Sequence, residues 1–199
     1  MRATACYADV ASEDGLMRII AGQWRGRKLI APAGETTMPT SDRTRETLFS
    51  MLVSRLGSFE GLTVADLFAG SGALGIEALS RGAASCVFVE QDAAAIRALR
   101  SNLASLQAQV QGDVRATSVL ALGPAKQPLD LILLDPPYTT GAGVVALEKL
   151  QRLGWIGPAT WISLETALKE LAVVKGLTPV AERKVGKARL TLFRQAPAD

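Results

Sequence analysis

The sequence predicts an α/β fold: a central, mostly parallel sheet with helices on both faces, closed by an antiparallel strand pair and preceded by a β-hairpin extension. Three observations carry this. From Gly61 onward, apolar runs of strand length alternate with segments of helical period. A glycine turn, Gly70-Ser71-Gly72, follows the first such run and opens the first such helix. The run Leu129-Asp130-Leu131-Ile132-Leu133-Leu134 is apolar almost throughout, as in a strand buried on both faces. Repeated strand–helix units cross over right-handedly and give parallel neighbours.

Residues 1–16 have little periodicity and small side chains, and are expected to be a disordered tail, with Met17 as the natural start. Residues 18–30 hold two short β-prone pieces around a Gly-containing turn, a hairpin pattern. Arg18, Arg25, Arg27 and Lys28 run through it uninterrupted by any acid, with Trp24 in their midst. Two readings stay open. One is a solvated edge hairpin whose cations discourage edge pairing. The other is a nucleic-acid grip, with cations on phosphates and an aromatic for stacking. A loop marked by Pro and Gly spans 31–39. A helix opens within 40–52, capped by Ser41 or Asp42, with Leu48, Met51, Leu52 and Leu56 at helical spacing. Arg43 and Arg45 oppose the helix dipole there, so they need partners: nearby acids, an RNA phosphate or a bound substrate.

Residues 61–199 form the α/β domain. Strand 62–67 leads into helix 72–80, and strand 84–90 into helix 92–106, which Asp92 caps. Gln111-Gly112-Asp113 introduces a short strand near 114–117. After strand 129–134 comes a Gly-containing loop and helix 143–152. Residues 161–164 are the next strand. Segments 180–184 and 189–193, joined around Gly186, read as the closing antiparallel hairpin.

Composition narrows the chemistry. The chain has 199 residues, 48% of them hydrophobic, and a mean hydropathy of +0.20, which suits a filled core and not a disordered chain. Its net charge is +3. With no histidine, Ser-His and Cys-His nucleophile pairs are excluded. Cys6 and Cys86 imply no disulfide framework and are too few for a zinc site, so no metal is expected. Cys86 lies in an apolar run and reads as a buried small hydrophobe. No run of about 18 apolar residues and no signal-peptide pattern occurs, so no membrane contact and a cytoplasmic location are expected. Carboxylates, backbone groups and a cofactor must do the chemistry.

In an open α/β sheet, ligands collect outside the carboxyl ends of the strands, where the strand order switches. Suitable groups fall at four expected ends: Asp66 to Gly72, Glu90, Asp113, and Asp135 to Tyr138. Gly70, Gly72 and Gly75 meet the pattern G-x-G-x-x-G, and Glu90 follows the first of them by about 20 residues. That indicates a nucleoside cofactor in a Rossmann-like crevice. Without a Cβ, the glycines let the backbone approach a ligand. Asp66 can hold a cation or a hydroxyl, and Glu90 can accept from ribose hydroxyls. The turn at 70–72 would underlie the cofactor's amino-acid portion or its sugar, and Asp113 can accept from an adenine amine. Each acid alone also has the plainer reading of a turn former or helix cap. The same glycines suit a dinucleotide, but no histidine or conspicuous lysine is present for hydride chemistry.

Asp135-Pro136-Pro137-Tyr138 follows the buried strand 129–134. Two prolines fix two φ angles and remove two donors. The result is a rigid loop that displays a carboxylate and backbone carbonyls, with an aromatic beside them. It suits an exocyclic amine on a planar base: Asp135 and a proline carbonyl accept its N–H groups, and the Tyr138 ring stacks on the base.

Asp66-Leu67-Phe68-Ala69-Gly70-Ser71-Gly72 resembles motif I of class I S-adenosylmethionine-dependent methyltransferases, and Asp135-Pro136-Pro137-Tyr138 resembles their motif IV for amino-nitrogen methylation. Residues 17–29, Thr40-Ser41-Asp42-Arg43-x-Arg45-Glu46-x-Leu48-Phe49, and the helix through Ile76-Glu77-Ala78-Leu79-Ser80-Arg81 resemble the bacterial 16S rRNA guanine-N2 methyltransferases of the RsmD type. The resemblance runs from Met17 almost to the C-terminus, and residues 1–16 have no counterpart.

The resemblance implies methyl transfer from S-adenosylmethionine to the 2-amino group of one guanine in small-subunit 16S rRNA, either free or in an assembled or assembling subunit. The protein would act as a monomer. Residues 61–199 would be the methyltransferase domain and 17–60 a basic RNA-binding extension carrying Arg18, Trp24, Arg25, Arg27, Lys28, Arg43 and Arg45. Asp66, Phe68, Ala69, Gly70, Ser71, Gly72, Glu90 and its neighbour Gln91 would hold the cofactor, with Asp113 and Val114 near its adenine and Asp135 close by. Asp135, Pro136 and Tyr138 would hold the target base. Two rivals remain: a DNA adenine-N6 methyltransferase, for which the chain leaves little room for a target-recognition domain, and a non-catalytic ribosome-assembly factor binding cofactor and RNA.

Overall fold

A computed structural model describes residues 17–32 and 41–196. The expected tail at 1–16 and most of the loop at 31–39 lie outside the described residues. The α/β domain is built on a seven-stranded sheet of order β5-β4-β3-β6-β7-β9-β8. In chain order its elements are β3 (Thr63–Leu67), α2 (Ala73–Ser80), β4 (Ser85–Glu90), α3 (Ala93–Ser105), β5 (Gly112–Ala116), β6 (Leu131–Leu134), α4 (Ala142–Arg152), β7 (Trp161–Ala167), β8 (Leu177–Val185) and β9 (Ala188–Gln195). β5, β4, β3, β6 and β7 pair in parallel, while β9 pairs antiparallel with both β7 and β8.

The four residues of β6 are all buried. With side chains alternating between faces, Leu131 and Leu133 join a core with Phe49, Leu52, Ile76 and Leu99. Ile132 and Leu134 join the opposite core with Leu147, Leu150 and Trp155. Helices thus cover both faces, as the apolar run requires. The chain steps outward from β3 to β4 and β5, then returns to place β6 on the other side of β3. This reversal opens a crevice between the carboxyl ends of β3 and β6.

The N-terminal hairpin is shorter and better anchored than a solvated edge hairpin. β1 (Met17–Arg18) and β2 (Lys28–Leu29) pair through Met17↔Leu29 and Arg18↔Lys28. Met17, Ile19 and Leu29 are buried in the same core as α1 (Asp42–Leu56). Polar bonds add to this: Glu77 accepts the N–H groups of Ile20 (2.7 Å) and Ala21 (3.0 Å), and the Ser80 carbonyl accepts that of Gln23 (2.8 Å). Ser41 caps α1, accepting from the Thr44 N–H.

Several strand boundaries differ from expectation, among them two where pairing overrides local composition. β7 continues past Leu164 to Ala167, since β9 pairs with it as far as Ala167↔Ala188. β5 begins at Gly112, already paired with Cys86, so Gly112-Asp113 is strand and not turn.

Candidate active site

Leu67 of β3 and Leu134 of β6 are register partners, so the turn at 68–72 and the loop at 135–138 leave the sheet from neighbouring strands. Val89, beside Leu67 on the other flank, brings in Glu90.

The glycine turn is braced from inside. Asp66 is 1% exposed and accepts the Gly75 N–H at 2.8 Å. Burial raises its carboxyl to about 8; the Gly75 bond opposes the shift, and the charges of Asp135 and Glu90 add to it. At neutral pH Asp66 is therefore an uncharged acid fastened to its own helix. This corrects the expectation that it holds a cation or a hydroxyl. The turn itself is left-handed at Phe68 (φ +65°), Gly70 (φ +54°) and Gly72 (φ +84°). For a phenylalanine such a conformation costs about 1–3 kcal/mol. A Cβ at Gly72 would strike Leu99, and one at Gly75 would strike Phe88 and Cys86, whereas a Cβ at Gly70 meets nothing within 4 Å. Gly72 and Gly75 thus serve packing inside the protein, and Gly70 is the member of the motif that borders open space.

Glu90 is held by three backbone donors. Its Oε2 accepts from Gly70 at 2.8 Å, and its Oε1 accepts from Gln91 at 2.7 Å and Asp92 at 2.8 Å. A carboxylate has roughly four acceptor sites, so one on Oε2 remains for a ligand hydroxyl. Gln91 contributes its main chain to this arrangement.

Asp113 and Val114 do not reach the crevice. Asp113 lies opposite Val87, whereas the carboxyl end of β5 is Ala116, opposite Glu90. At about 3.3 Å per residue, Asp113 sits roughly 10 Å back from that end. Its exposed carboxylate bonds Arg115 Nε at 2.9 Å. The expected adenine contact is corrected accordingly: Ala116, Thr117 and Ser118 stand at this end of the strand.

In the second motif Pro136 is buried and Tyr138 is 42% exposed. The Tyr138 hydroxyl donates to Glu165 Oε1 at 2.5 Å. Glu165 is 4% exposed, and its Oε2 is buried without a hydrogen-bond partner. Burial and the nearby charge of Asp135 push its carboxyl up to about 7, against the opposing bond from Tyr138. Burial, then Glu165, raises the Tyr138 phenol. Sequence reasoning missed Glu165 although it directly follows the expected strand 161–164, as Asp135 follows 129–134. The signal was an acid directly after the apolar run 161–164.

Arg18, Arg25, Arg27, Lys28 and Arg43 are exposed. Arg27 also donates to the Ser105 carbonyl at 2.7 Å. Trp24 is half-buried against the core. Arg45 is the exception: it is fully buried, and its Nη2 donates to the Arg18 carbonyl (2.7 Å) and to Asp42. It ties α1 to β1 with the nearby acid Asp42 as a partner, which corrects its assignment to the RNA-binding residues. Asn102, also missed, accepts from the Ile30 N–H and donates to the Ile30 and Ser71 carbonyls, linking the hairpin exit to the glycine turn.

Known proteins resemble this chain in sequence and in fold. The family described as "Conserved hypothetical protein 95" matches residues 17–194. Ribosomal RNA small subunit methyltransferase D of Escherichia coli is 39% identical over 158 residues, 79% of this chain and 78% of that protein. The protein of the same name from Haemophilus influenzae is 38% identical over 185 residues, 90% of this chain and 94% of that one. The solved structure of the Escherichia coli protein yhhF superposes with a TM-score of 0.80 at 35% identity, covering 91% of this chain and 98% of that chain. With the doubly covered sheet and crevice described above, these matches show that the chain has the class I methyltransferase fold and belongs to the ribosomal RNA small subunit methyltransferase D family, the RsmD type.

Proposed function

We propose that this protein transfers a methyl group from S-adenosylmethionine to the exocyclic 2-amino group of one guanine in 16S rRNA of the small ribosomal subunit. One observation carries the reading: the turn at 68–72 and the loop at 135–138 leave the sheet from the paired residues Leu67 and Leu134. A cradle for a nucleoside cofactor and a carboxylate suited to an amine therefore open on one crevice. The names of the relatives, which specify ribosomal RNA, support the substrate class.

The open space at Gly70 and the remaining acceptor site of Glu90 suit a nucleoside with an amino-acid tail. Phe68, Ala69, Gly70, Ser71, Gly72 and Glu90 would hold it. When bound, S-adenosylmethionine supplies a methyl group activated by a positively charged sulfur. The chain's own residues orient the nucleophile. Asp135 accepts a hydrogen bond from the guanine amine and stabilises the positive charge that grows on nitrogen, a preorganised contact of the kind worth about 10²–10³ in rate. The Pro136 carbonyl takes the second N–H, and Tyr138 covers the base. Holding the reactants in line contributes up to about 10 kcal/mol. A paired guanine cannot enter, so the base must be unpaired or flipped at a cost of a few kcal/mol. Phosphate contacts from Arg18, Arg25, Arg27, Lys28 and Arg43 offset that cost.

The test supplies labelled S-adenosylmethionine with naked 16S rRNA, assembled small subunits or duplex DNA, followed by nucleoside analysis. N2-methylguanosine from RNA or subunits is expected. N6-methyladenine from DNA, or no product from any substrate, would overturn the reading.

A further inference from the structure

The carboxyl groups of Asp135, just past β6, and Glu165, within β7, bear on base selection. Leu134 and Leu164 are register partners on neighbouring strands, Asp135 and Glu165 directly follow them, and the charge of Asp135 acts on the Glu165 carboxyl. Glu165 Oε1 receives the Tyr138 hydroxyl, while Glu165 Oε2 is buried with no hydrogen-bond partner. A buried acceptor left unmet costs about 1–3 kcal/mol, and such a group in a folded protein calls for an explanation.

We infer that Glu165 is a second recognition residue for the target base, accepting the N1–H of guanine while Asp135 accepts from the neighbouring 2-amino group. This deepens the proposed guanine-N2 activity and rests on it. Flipped bases are read along their Watson–Crick edge. On guanine that edge presents N1–H beside the 2-amino group, two adjacent donors. On adenine it presents a bare N1 acceptor beside the 6-amino group. Ionised carboxylates are acceptors alone, so Asp135 and Glu165 together match guanine and repel the adenine N1. Donation from N1–H also favours the ionised form of Glu165. A site built to bond an N–H discriminates strongly against a ligand that lacks it.

Tyr138 is the exposed member of the Tyr138–Glu165 pair, on a loop where Thr139 takes φ +63° and donates its N–H to Glu170. Outward rotation of Tyr138 opens Glu165 to an incoming base and leaves the phenol ring beside the base face.

The test uses the full chain saturated with S-adenosylhomocysteine and measures binding of three nucleosides by calorimetry or NMR. Guanosine carries both donors. 1-Methylguanosine has lost N1–H to a methyl group. 2-Aminopurine riboside keeps the 2-amino group but has an acceptor at N1. Guanosine is expected to bind at least tenfold more tightly than either analogue. In Glu165→Gln the guanosine affinity should fall at least tenfold, that of 2-aminopurine riboside should hold or rise because the amide can donate to its N1, and that of S-adenosylhomocysteine should change less than threefold. Equal binding of the three nucleosides by the unmodified protein, no guanosine binding at millimolar concentration, or an undiminished guanosine preference in Glu165→Gln overturns the inference. If the substituted chain does not fold, the comparison on the unmodified protein decides alone. Failure of the guanine-N2 reading is seen separately, in the nucleoside analysis of the methylated product.

Discussion

Glu77 Oε2 accepts the N–H of Ile20 at 2.7 Å, across 57 residues of chain. The other oxygen of the same fully buried carboxylate accepts from Ala21 and from Arg81 Nε. Glu77 lies on the helix that begins at the glycine turn. One side chain therefore joins the basic N-terminal segment to the cofactor side of the crevice. Glu77→Ala strips three donors of their acceptor and is expected to cost about 3 kcal/mol, by analogy with breaking other buried charged networks. Chemical denaturation measures it; a loss below about 1 kcal/mol would show that the apolar contacts of Met17, Ile19 and Leu29 hold the segment unaided.

Asp135→Ala removes the acceptor for the target amine and leaves the glycine turn untouched. Methyl transfer is expected to fall by at least about 10²-fold, with cofactor affinity by calorimetry within threefold of the unmodified protein. Turnover within tenfold of the unmodified protein would overturn the role given to Asp135.

Arg25→Ala with Arg27→Ala tests the exposed cations. Loss of two phosphate contacts should weaken RNA binding and flatten the slope of log affinity against log salt by about 1.4–1.8. An unchanged slope with lower melting temperature would make these residues structural.

Arg45→Met should behave in the opposite way. The guanidinium is buried and bonded to the Arg18 carbonyl and Asp42. Its loss leaves the Arg18 carbonyl without this donor and is expected to destabilise by about 1–3 kcal/mol, while the salt slope of RNA binding stays as it was. A flattened slope at full stability would return Arg45 to the RNA interface.

Asp66 gives stability a pH dependence. Its carboxyl ionises near 3.8 when unperturbed and near 8 in the folded protein. Between those values the folded state keeps a proton that the unfolded chain has lost, so stability is full below about 4 and declines as pH rises towards 8. Glu165, raised to about 7 from 4.5, adds to the decline over the lower part of that window. Asp66→Asn cannot ionise and can keep an acceptor for Gly75. Urea unfolding at pH 5 and pH 8 should show the unmodified protein losing a few kcal/mol and the variant losing markedly less. Identical losses would place the ionisation of Asp66 outside the native state's energetics.

The local pattern of the sequence was sufficient for the strand–helix alternation, the buried character of β6, the glycine turn and the rigid loop at 135–138. Each depends on the intrinsic preferences of neighbouring residues, which a window of sequence contains. Glu165 and Asp113 show where that window ends. Both are acids at the boundary of an expected strand, yet one stands beside Asp135 and the other falls short of the crevice. The difference is made by register with β6 and β4, strands distant in sequence. Arg45 was legible as a cation in need of a partner, and Asp42 was within view, but its burial depends on β1 and the core packing against α1. Sequence by itself determined the elements and the chemistry they can carry. Tertiary structure decided which carboxylates share the crevice and which are locked in the core, because burial and register arise from contacts between segments far apart in the chain.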